Sequence, residues 1–382
     1  FQAEDGIRDS VASRGLGDVY KRQILLTKEA AEFVTPLSFQ NISRQKISTD
    51  LFSSEDNAYL QHLESTYDAD AFLIAPATAN TIAKLAIGIA DDLVSTAFLA
   101  ATCPVIIAPA MDLNMYDNPS TQSNVKTLQK RGVIFAGPEQ GRLASGKVGR
   151  GRLMEPNNII DLLKTTLGAY GDFAGKRIVI TAGPTVEHID PVRIITNPSS
   201  GKMGFALATA SRDRGAKVTL ISGPTYLETP FGVTKIDVKS AKQMYTAVLK
   251  SVINADILIM AAAVSDFRPT NPHTAKEKKS IAKLTLPLET TEDILASVPD
   301  NLLKIGFAAE TEDIERNATS KLSAKNLDLI IANDISQPGT GFASDFNQVS
   351  IIDRKGIITP LPLLPKSEVA WQILDVILDL NP

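Results

Sequence analysis

The amino-acid sequence predicts an α/β protein made of two tandem doubly wound domains, and three observations carry that reading. Short, β-branched apolar runs recur and end in Gly or Pro turns: Phe72-Leu-Ile-Ala-Pro, Val105-Ile-Ile-Ala-Pro and Ile178-Val-Ile-Thr-Ala-Gly-Pro. Between them lie segments of helical period, and apolar strands alternating with helices signal a parallel sheet covered on both faces. At 382 residues the chain is long enough for two domains. A glycine-rich connector, Gly168-Ala-Tyr-Gly-Asp-Phe-Ala-Gly175, provides the boundary.

Taken in order, residues 1–22 show neither the helical nor the strand period and fit no cleavable targeting pattern. They read as a translated cloning or sequencing adapter, a non-native leader standing in place of the true N-terminus. From residue 23 to 168 the expected first domain has strands at Ile24–Thr27, Ala71–Pro76, Cys103–Pro109 and Gly132–Gly137. Its helices are expected at Lys28–Phe33, in Thr78–Ala101 with a break near Gly88–Asp92, at Gln122–Arg131 and at Pro156–Leu167. After the linker 169–175, the second domain, 176–382, has expected strands at Arg177–Thr181, Lys217–Ile221, Ile257–Ala261, Lys304–Phe307 and Leu327–Ala332. Helices Lys202–Arg214, Ala241–Ser251 and Glu312–Ala324 separate them. A hairpin around Arg354-Lys-Gly and a helix Lys366–Leu380 close the chain, with Trp371 as a core anchor.

Composition excludes several function classes. A net charge of −4 leaves no electrostatic footprint for nucleic acid. No run of about 18 apolar residues predicts a membrane span. The single cysteine, Cys103, rules out an internal disulfide framework and a cysteine zinc site, and suits a reducing cytoplasm. Of the three histidines, His188 and His273 read as surface-loop residues. Asn197-Pro-Ser-Ser-Gly-Lys-Met-Gly204 opens a helix, where free N–H groups and the helix dipole favour an anion. Ser-Gly-Lys lacks the upstream glycine of a P-loop, and no G-x-G-x-x-G follows either first strand.

The loops at the strand ends carry a resemblance. Pro76-Ala-Thr-Ala-Asn80, Asp91-Asp-Leu-Val-Ser-Thr96, Gln61-His62-Leu and Pro109-Ala-Met resemble the flavin-dependent cysteine decarboxylases. Together with Thr181-Ala-Gly-Pro-Thr, Asp190-Pro-Val-Arg, Ser199-Ser-Gly-Lys-Met-Gly, Ala262-Ala-Val-Ser-Asp-Phe-Arg, Gly306-Phe-Ala-Ala-Glu-Thr and Lys325-Asn-Leu-Asp, they make the chain from about residue 24 onward resemble a family. It is that of the bifunctional phosphopantothenoylcysteine decarboxylases/phosphopantothenate–cysteine ligases of coenzyme A synthesis.

For the first domain the resemblance implies a flavodoxin-like fold binding FMN, with Thr27, Pro76, Thr78, Asn80, Ser95, Thr96 and Met111 at flavin-contacting positions. His62 falls on the active-site histidine, and an imidazole titrating near ~6.5 suits proton transfer at neutral pH. The implied chemistry is oxidation of the thiol-bearing carbon to a thioaldehyde, loss of CO2 and reduction of the resulting enethiol. Three departures stand out. The leader replaces the glycine-rich turn that holds the FMN phosphate, so weak FMN binding is expected. Ser145 occupies the place of a proton-donating cysteine; a serine hydroxyl is a far weaker acid than a thiol of pKa about 8.5, so the final reduction is expected to be slower. Asp112 stands where asparagine is common in the substrate clamp.

For the second domain the resemblance implies a Rossmann-like ligase. Attack of the 4′-phosphopantothenate carboxylate on the α-phosphate of CTP gives an acyl-cytidylate and pyrophosphate, and the cysteine amine then displaces CMP. Asn197 matches the residue that handles the acyl-cytidylate. Met260, Ala261, Ala262, Asp266, Lys276, Phe307, Lys321 and Lys325 match CTP-site positions, and Glu292, Asp293, Ile294 and Leu295 a loop beside the nucleotide. By themselves, Lys321 and Lys325 read equally as a solvated helix face, and Lys276 as part of a charged loop in which Glu277 departs from the family. Mg2+ is expected to arrive with the triphosphate, because no protein-only metal cage is visible. The implied partners are these small molecules and further copies of the chain, with ligase dimers and decarboxylase trimers. Two alternatives remain: a chain active only as a ligase, and a first domain that serves only assembly.

Overall fold

The computed structural model describes residues 23–45, 47–49, 66, 68–276, 285–310, 313–334 and 344–380. The leader 1–22, His62 and Glu277 lie outside the described residues. The chain divides into two compact α/β units, one ending at Leu167 and the other running on from Gly168.

In the first unit, β1 (Phe72–Ala77), β2 (Val105–Pro109) and β3 (Ile134–Phe135) form a parallel sheet in that order. Helices Ala79–Ile87, Leu93–Ala100 and Pro119–Lys130 bury Ile82, Leu85, Val94, Val125 and Leu128 against one face. Helix Pro156–Gly168 covers Ile106 and Ala108 on the other through Ile159. β2 is buried along its whole length, as a continuous apolar run between two helical layers must be. The expected strand at Ile24–Thr27 is corrected to an isolated parallel bridge, Leu25 to Ser48. The glycine-punctuated stretch after Pro138 is an antiparallel ribbon, Glu139–Arg142 with Val148–Arg152. Gly151 lets this ribbon dock: a Cβ there would stand 2.2 Å from the Met111 carbonyl oxygen.

The second unit is one eight-stranded sheet. Its strands are β4 (Arg177–Ala182), β5 (Lys217–Ser222), β6 (Thr234–Asp237), β7 (Ile257–Met260), β8 (Leu303–Glu310), β9 (Leu329–Asp334), β10 (Val349–Asp353) and β11 (Ile358–Pro360), in the spatial order β6-β5-β4-β7-β8-β9-β10-β11. The first six are parallel, and the last two add an antiparallel hairpin turning at Gly356. One register row, Leu220–Ile180–Ile259–Ile305–Leu329, is fully buried from strand to strand. Because side chains alternate across the sheet, Ile178 and Ile180 meet helices Lys202–Asp213 and Lys366–Asp379, while Val179 meets helix Ala241–Val252.

The chain runs outward from β4 to β5 and β6, then returns past β4 to β7, β8 and β9. That reversal leaves a crevice beyond the carboxyl ends of β4 and β7, the place where doubly wound sheets bind ligands. Gly204 sets the depth of the first helix: its ideal Cβ would lie 2.6 Å from the Ala182 Cβ and 2.8 Å from the Thr181 carbonyl oxygen. Only a residue without a side chain lets the helix settle this close to the strand.

Candidate functional site

At the reversal, hydrogen bonds sew two strand-end loops together. Ala263 N–H donates to the Gly183 carbonyl at 2.9 Å, and Thr185 N–H to the Ala263 carbonyl at 3.2 Å. The Thr181 hydroxyl accepts from Ala262 N–H at 3.1 Å, and the Thr185 hydroxyl from Ser265 N–H at 2.9 Å. Asn197 crosses from a third loop, its Nδ2 donating to the carbonyls of Ala263 at 3.2 Å and Val264 at 3.3 Å. That loop is preset by the Asp-Pro-Val-Arg turn, where the buried Asp190 carboxylate accepts Val192 and Arg193 N–H at 2.7 and 2.8 Å. Lys202, which invited a P-loop reading, ion-pairs instead with Asp345 at 2.6 Å.

The other predicted nucleotide-site residues gather along the same edge. Met260 ends β7, Ala261 and Ala262 lead out of it, and Asp266 follows with an exposed side chain and a carbonyl held by Thr291 N–H at 2.9 Å. Phe307 lies on the adjacent β8, and Lys321, from helix Ile314–Ala324, donates to its carbonyl at 3.2 Å. Lys325 ion-pairs with Asp293, which also caps helix Ile294–Ser297, the turn that carries Ile294 and Leu295. Burial raises the Asp293 carboxyl, but the Lys325 ammonium and the Ala296 amide outweigh it and hold it below the usual range. Glu292 is held low by its own backbone amide and by Arg268, 2.9 Å away. Two lysines thus reach this edge, one of them already facing an anion. Lys276 is exposed at the end of the segment leaving the ribbon Phe267–Pro269 with Leu288–Thr290.

In the first unit, Ala110 N–H donates to the Ala77 carbonyl at 3.0 Å, so the ends of β1 and β2 lie together. This brings Pro76, Thr78 and Asn80 alongside Met111 and Asp112. Thr78 caps helix Ala79–Ile87 and Thr27 caps helix Lys28–Ala31, each hydroxyl accepting a backbone N–H. Ser95 and Thr96 are differently engaged. Ser95 closes a capping box with Asp92, is 2% exposed and donates its hydroxyl to that carboxylate at 2.9 Å, while Thr96 donates to the Asp92 carbonyl at 2.8 Å. Their hydroxyls shape the loop rather than project from it. Lys84 neutralises Asp91 and Asp92 at 2.8 and 2.9 Å.

Sequence reading missed one pair. Ser145, on the ribbon turn, donates its hydroxyl to Asp112 Oδ2 at 2.7 Å across 33 residues of sequence. The hydrogen bond from Ser145, followed by that from the Asn114 amide, keeps the Asp112 carboxyl below its usual range. Both residues had been singled out separately as departures; only the docked ribbon joins them.

Comparison with known proteins decides the family. The model of the Flavoprotein family matches residues 14–168, and that of the C-terminal domain of DNA/pantothenate metabolism flavoproteins matches residues 173–380. The coenzyme A biosynthesis bifunctional protein CoaBC of Bacillus subtilis (strain 168) is 46% identical over 365 residues, covering 94% of this chain and 90% of that protein. The chain belongs to the family of bifunctional coenzyme A biosynthesis proteins. A cysteine/cysteine sulfinic acid decarboxylase of an unknown prokaryotic organism shares the same span, at 43% identity over 91% of this chain and 99% of its own. Among solved structures, the C-terminal domain of a CoaBC protein is 44% identical, with a TM-score of 0.47 over 55% of this chain and 97% of that one. Among the described residues of this family member, no helix is long and apolar enough to cross a membrane.

Proposed function

We propose that the chain is a two-activity enzyme of coenzyme A synthesis, working in the cytoplasm. The second unit condenses 4′-phosphopantothenate with cysteine, using CTP and its Mg2+, and the first decarboxylates the product with FMN. The ligase reading is supported above all by the crevice at the strand reversal. There Asn197 ties the acyl-site loop to Ala263 and Val264, while Lys321 and Lys325 reach the same sheet edge. Cations aimed at phosphates and fixed donors where charge develops are what adenylate-type chemistry needs. Asn197 is the acyl-cytidylate residue in this reading; Lys276, with Lys321 and Lys325, takes the triphosphate. Asp266 and the 292–295 loop flank it.

In the first unit the donor set fits FMN. Thr27, Thr78 and Asn80 are neutral polar groups at helix N-termini, Pro76 and Met111 flank the sheet edge, and Lys84 balances the carboxylates of the turn that Ser95 and Thr96 brace. When bound, the flavin would supply reversible oxidation of the thiol-bearing carbon. The chain's own part is to orient the substrate with Asp112, move a proton at His62, and hold the ribbon turn that carries Ser145. Val192 and Ile194, on the antiparallel ribbon of Val186–His188 with Ile194–Thr196, and Phe267 and Leu288, on the ribbon packed beside it, leave apolar surface exposed, which supports pairing of ligase units; trimers of the first unit complete the proposed assembly.

The test is direct. Incubation with 4′-phosphopantothenate, cysteine, CTP and Mg2+, with or without FMN, is expected to give phosphopantothenoylcysteine plus CMP in both arms and 4′-phosphopantetheine only with FMN. No CMP release would sink the ligase reading, and CO2 loss unaffected by removing FMN would sink the flavin one. A second outcome concerns Ser145. Its proton is directed to an ionised carboxylate, which leaves it a poor acid toward substrate. Ser145→Cys is therefore expected to raise the ratio of 4′-phosphopantetheine to enethiol at least about tenfold, following the difference in acidity. An unchanged ratio, read by mass, would rule that out.

A further inference from the structure

The ribbon of Phe267–Pro269 with Leu288–Thr290 has three residue pairs, too few for a two-stranded ribbon to hold its shape without its neighbours. Part of the support is backbone. Thr270 N–H donates to the Pro287 carbonyl at 3.1 Å and prolongs the ribbon, and His273 N–H donates to the Ile189 carbonyl at 2.8 Å, in the loop that leads to Asn197. Where the chain returns, the Thr291 hydroxyl donates to the Ser265 carbonyl at 2.7 Å.

The rest of the support is one side chain. Arg268 faces Glu289 directly across the ribbon, and its Nε donates to that carboxylate at 2.8 Å. Its Nη1 donates to both oxygens of Glu292, at 3.0 and 2.9 Å. A single planar guanidinium thus grips one carboxylate on the ribbon and one on the 292–295 loop through different nitrogens, a geometry that the point-like ammonium of lysine cannot copy. The Arg268 side chain is 27% exposed, so the grip is partly shielded from water.

The consequence runs along the chain. Glu292 immediately precedes Asp293, whose two oxygens are divided: Oδ1 accepts Ala296 N–H at 3.1 Å, and Oδ2 meets Lys325. Holding Glu292 therefore holds Asp293, and with it the resting place of Lys325. Lys276 comes three residues after His273, on the segment that leaves the same ribbon. Two of the three lysines assigned to the triphosphate take their places from this ribbon, and Arg268 bonds to neither.

We propose that Arg268 is a positioning residue for the nucleotide: by clamping Glu289 to Glu292 it holds the ribbon against the 292–295 loop and so sets where Lys276 and Lys325 stand. The proposal rests on the ligase reading above and adds to it a residue that acts through others.

Calorimetric titration of the full chain with CTP and Mg2+, beside CMP release read by mass, tests this. Arg268→Met is expected to weaken CTP at least about tenfold and to raise the KM for CTP in step, because misplacement by about 1 Å suffices for effects up to ~10²-fold. The KM for cysteine is expected to stay within about twofold, and kcat at saturating CTP within about threefold, a split that general loss of structure would not give. Arg268→Lys, which can meet only one of the two carboxylates, is expected to fall between. Because the effect passes through Glu292, adding Arg268→Met to Glu292→Gln is expected to weaken CTP by no more than about twofold further. Multiplying effects in that double variant would overturn the route through Glu292. Wild-type CTP affinity in Arg268→Met, with or without a lower melting temperature, would overturn the proposal and leave the ligase reading standing. A wild-type chain that neither binds CTP nor releases CMP would overturn both. Should Arg268→Met fail to fold, Arg268→Lys decides on the same readings.

Discussion

Replacing Asn197 with alanine is expected to lower CTP-dependent condensation by about 10²–10³-fold while leaving CTP affinity within about threefold, the pattern of an interaction needed in the transition state. The side chain holds two carbonyls of the 261–265 loop at 3.2 and 3.3 Å, so its loss frees one wall of the crevice from the other. The stability cost, about 1 kcal/mol per hydrogen bond, is too small to unfold the unit, and the lost rate is therefore a matter of the site. Asn197→Asp keeps the shape but turns an acceptor toward two carbonyls, and is expected to lose at least as much. Separate measurement of kcat for CMP release and of CTP binding checks this. Wild-type turnover in Asn197→Ala would refute the assignment.

Arg214→Met is expected to destabilise the second unit by about 3–5 kcal/mol, the range for stripping one partner from a buried ion pair. Arg214 has a 2% exposed side chain, pairs with Asp172 and Asp375, both at 2.7 Å, and lies over the rings of Phe173 and Trp371 at 4.9 and 5.4 Å. It therefore fastens the segment after the domain boundary to the last helix. At about 2–4 °C per kcal/mol for a unit of this size, the melting temperature is expected to fall by roughly 6–20 °C. Trp371 is the single tryptophan of the chain, so its fluorescence reports the loss where it occurs. A melt within about 1 °C of wild type would show that the pairs contribute nothing net, as exposed pairs commonly do.

Much of the fold is legible because it rests on local signals. Ile178–Ile180, Ile257–Ile259 and Val105–Ile107 are continuous apolar runs, and each is a fully buried strand. Gly88 ends one helix in the left-handed conformation where a break was expected, and Gly356 turns the terminal hairpin. The elements missed have weak or misleading local patterns. Thr234-Lys-Ile-Asp237 carries one aliphatic residue, and becomes a strand because β5 offers it an open edge. Gly141–Met154, punctuated by glycines, has no strand period of its own, yet much of it pairs in an antiparallel ribbon once docked on the 111–116 turn. Ile24–Thr27 has a strand's composition but makes only a bridge among the described residues.

The candidate site divides the same way. Residue types and short motifs, which are local chemistry, mark Asn197, the Thr-Ala-Gly-Pro-Thr turn, the strand-end alanines and the lysines at the end of helix Ile314–Ala324. Which of them face one another depends on strand order, and β4 lies beside β7 although 74 residues of sequence separate Ala182 from Ile257. No local pattern encodes that adjacency; it follows from burying both faces of one sheet. Ser95, expected at a flavin-contacting position, is also a cap partner, because Asp92 lies within its reach once the helix forms. Ser145 and Asp112 were read as two separate departures and prove to be one hydrogen-bonded pair. By itself the sequence determined the buried strands, the long helices and the family, since each is written in periodicity and contiguous motif. Only the tertiary structure decided which side chains share a proton, a carbonyl or a cavity, because those distances arise when distant segments pack against the same sheet.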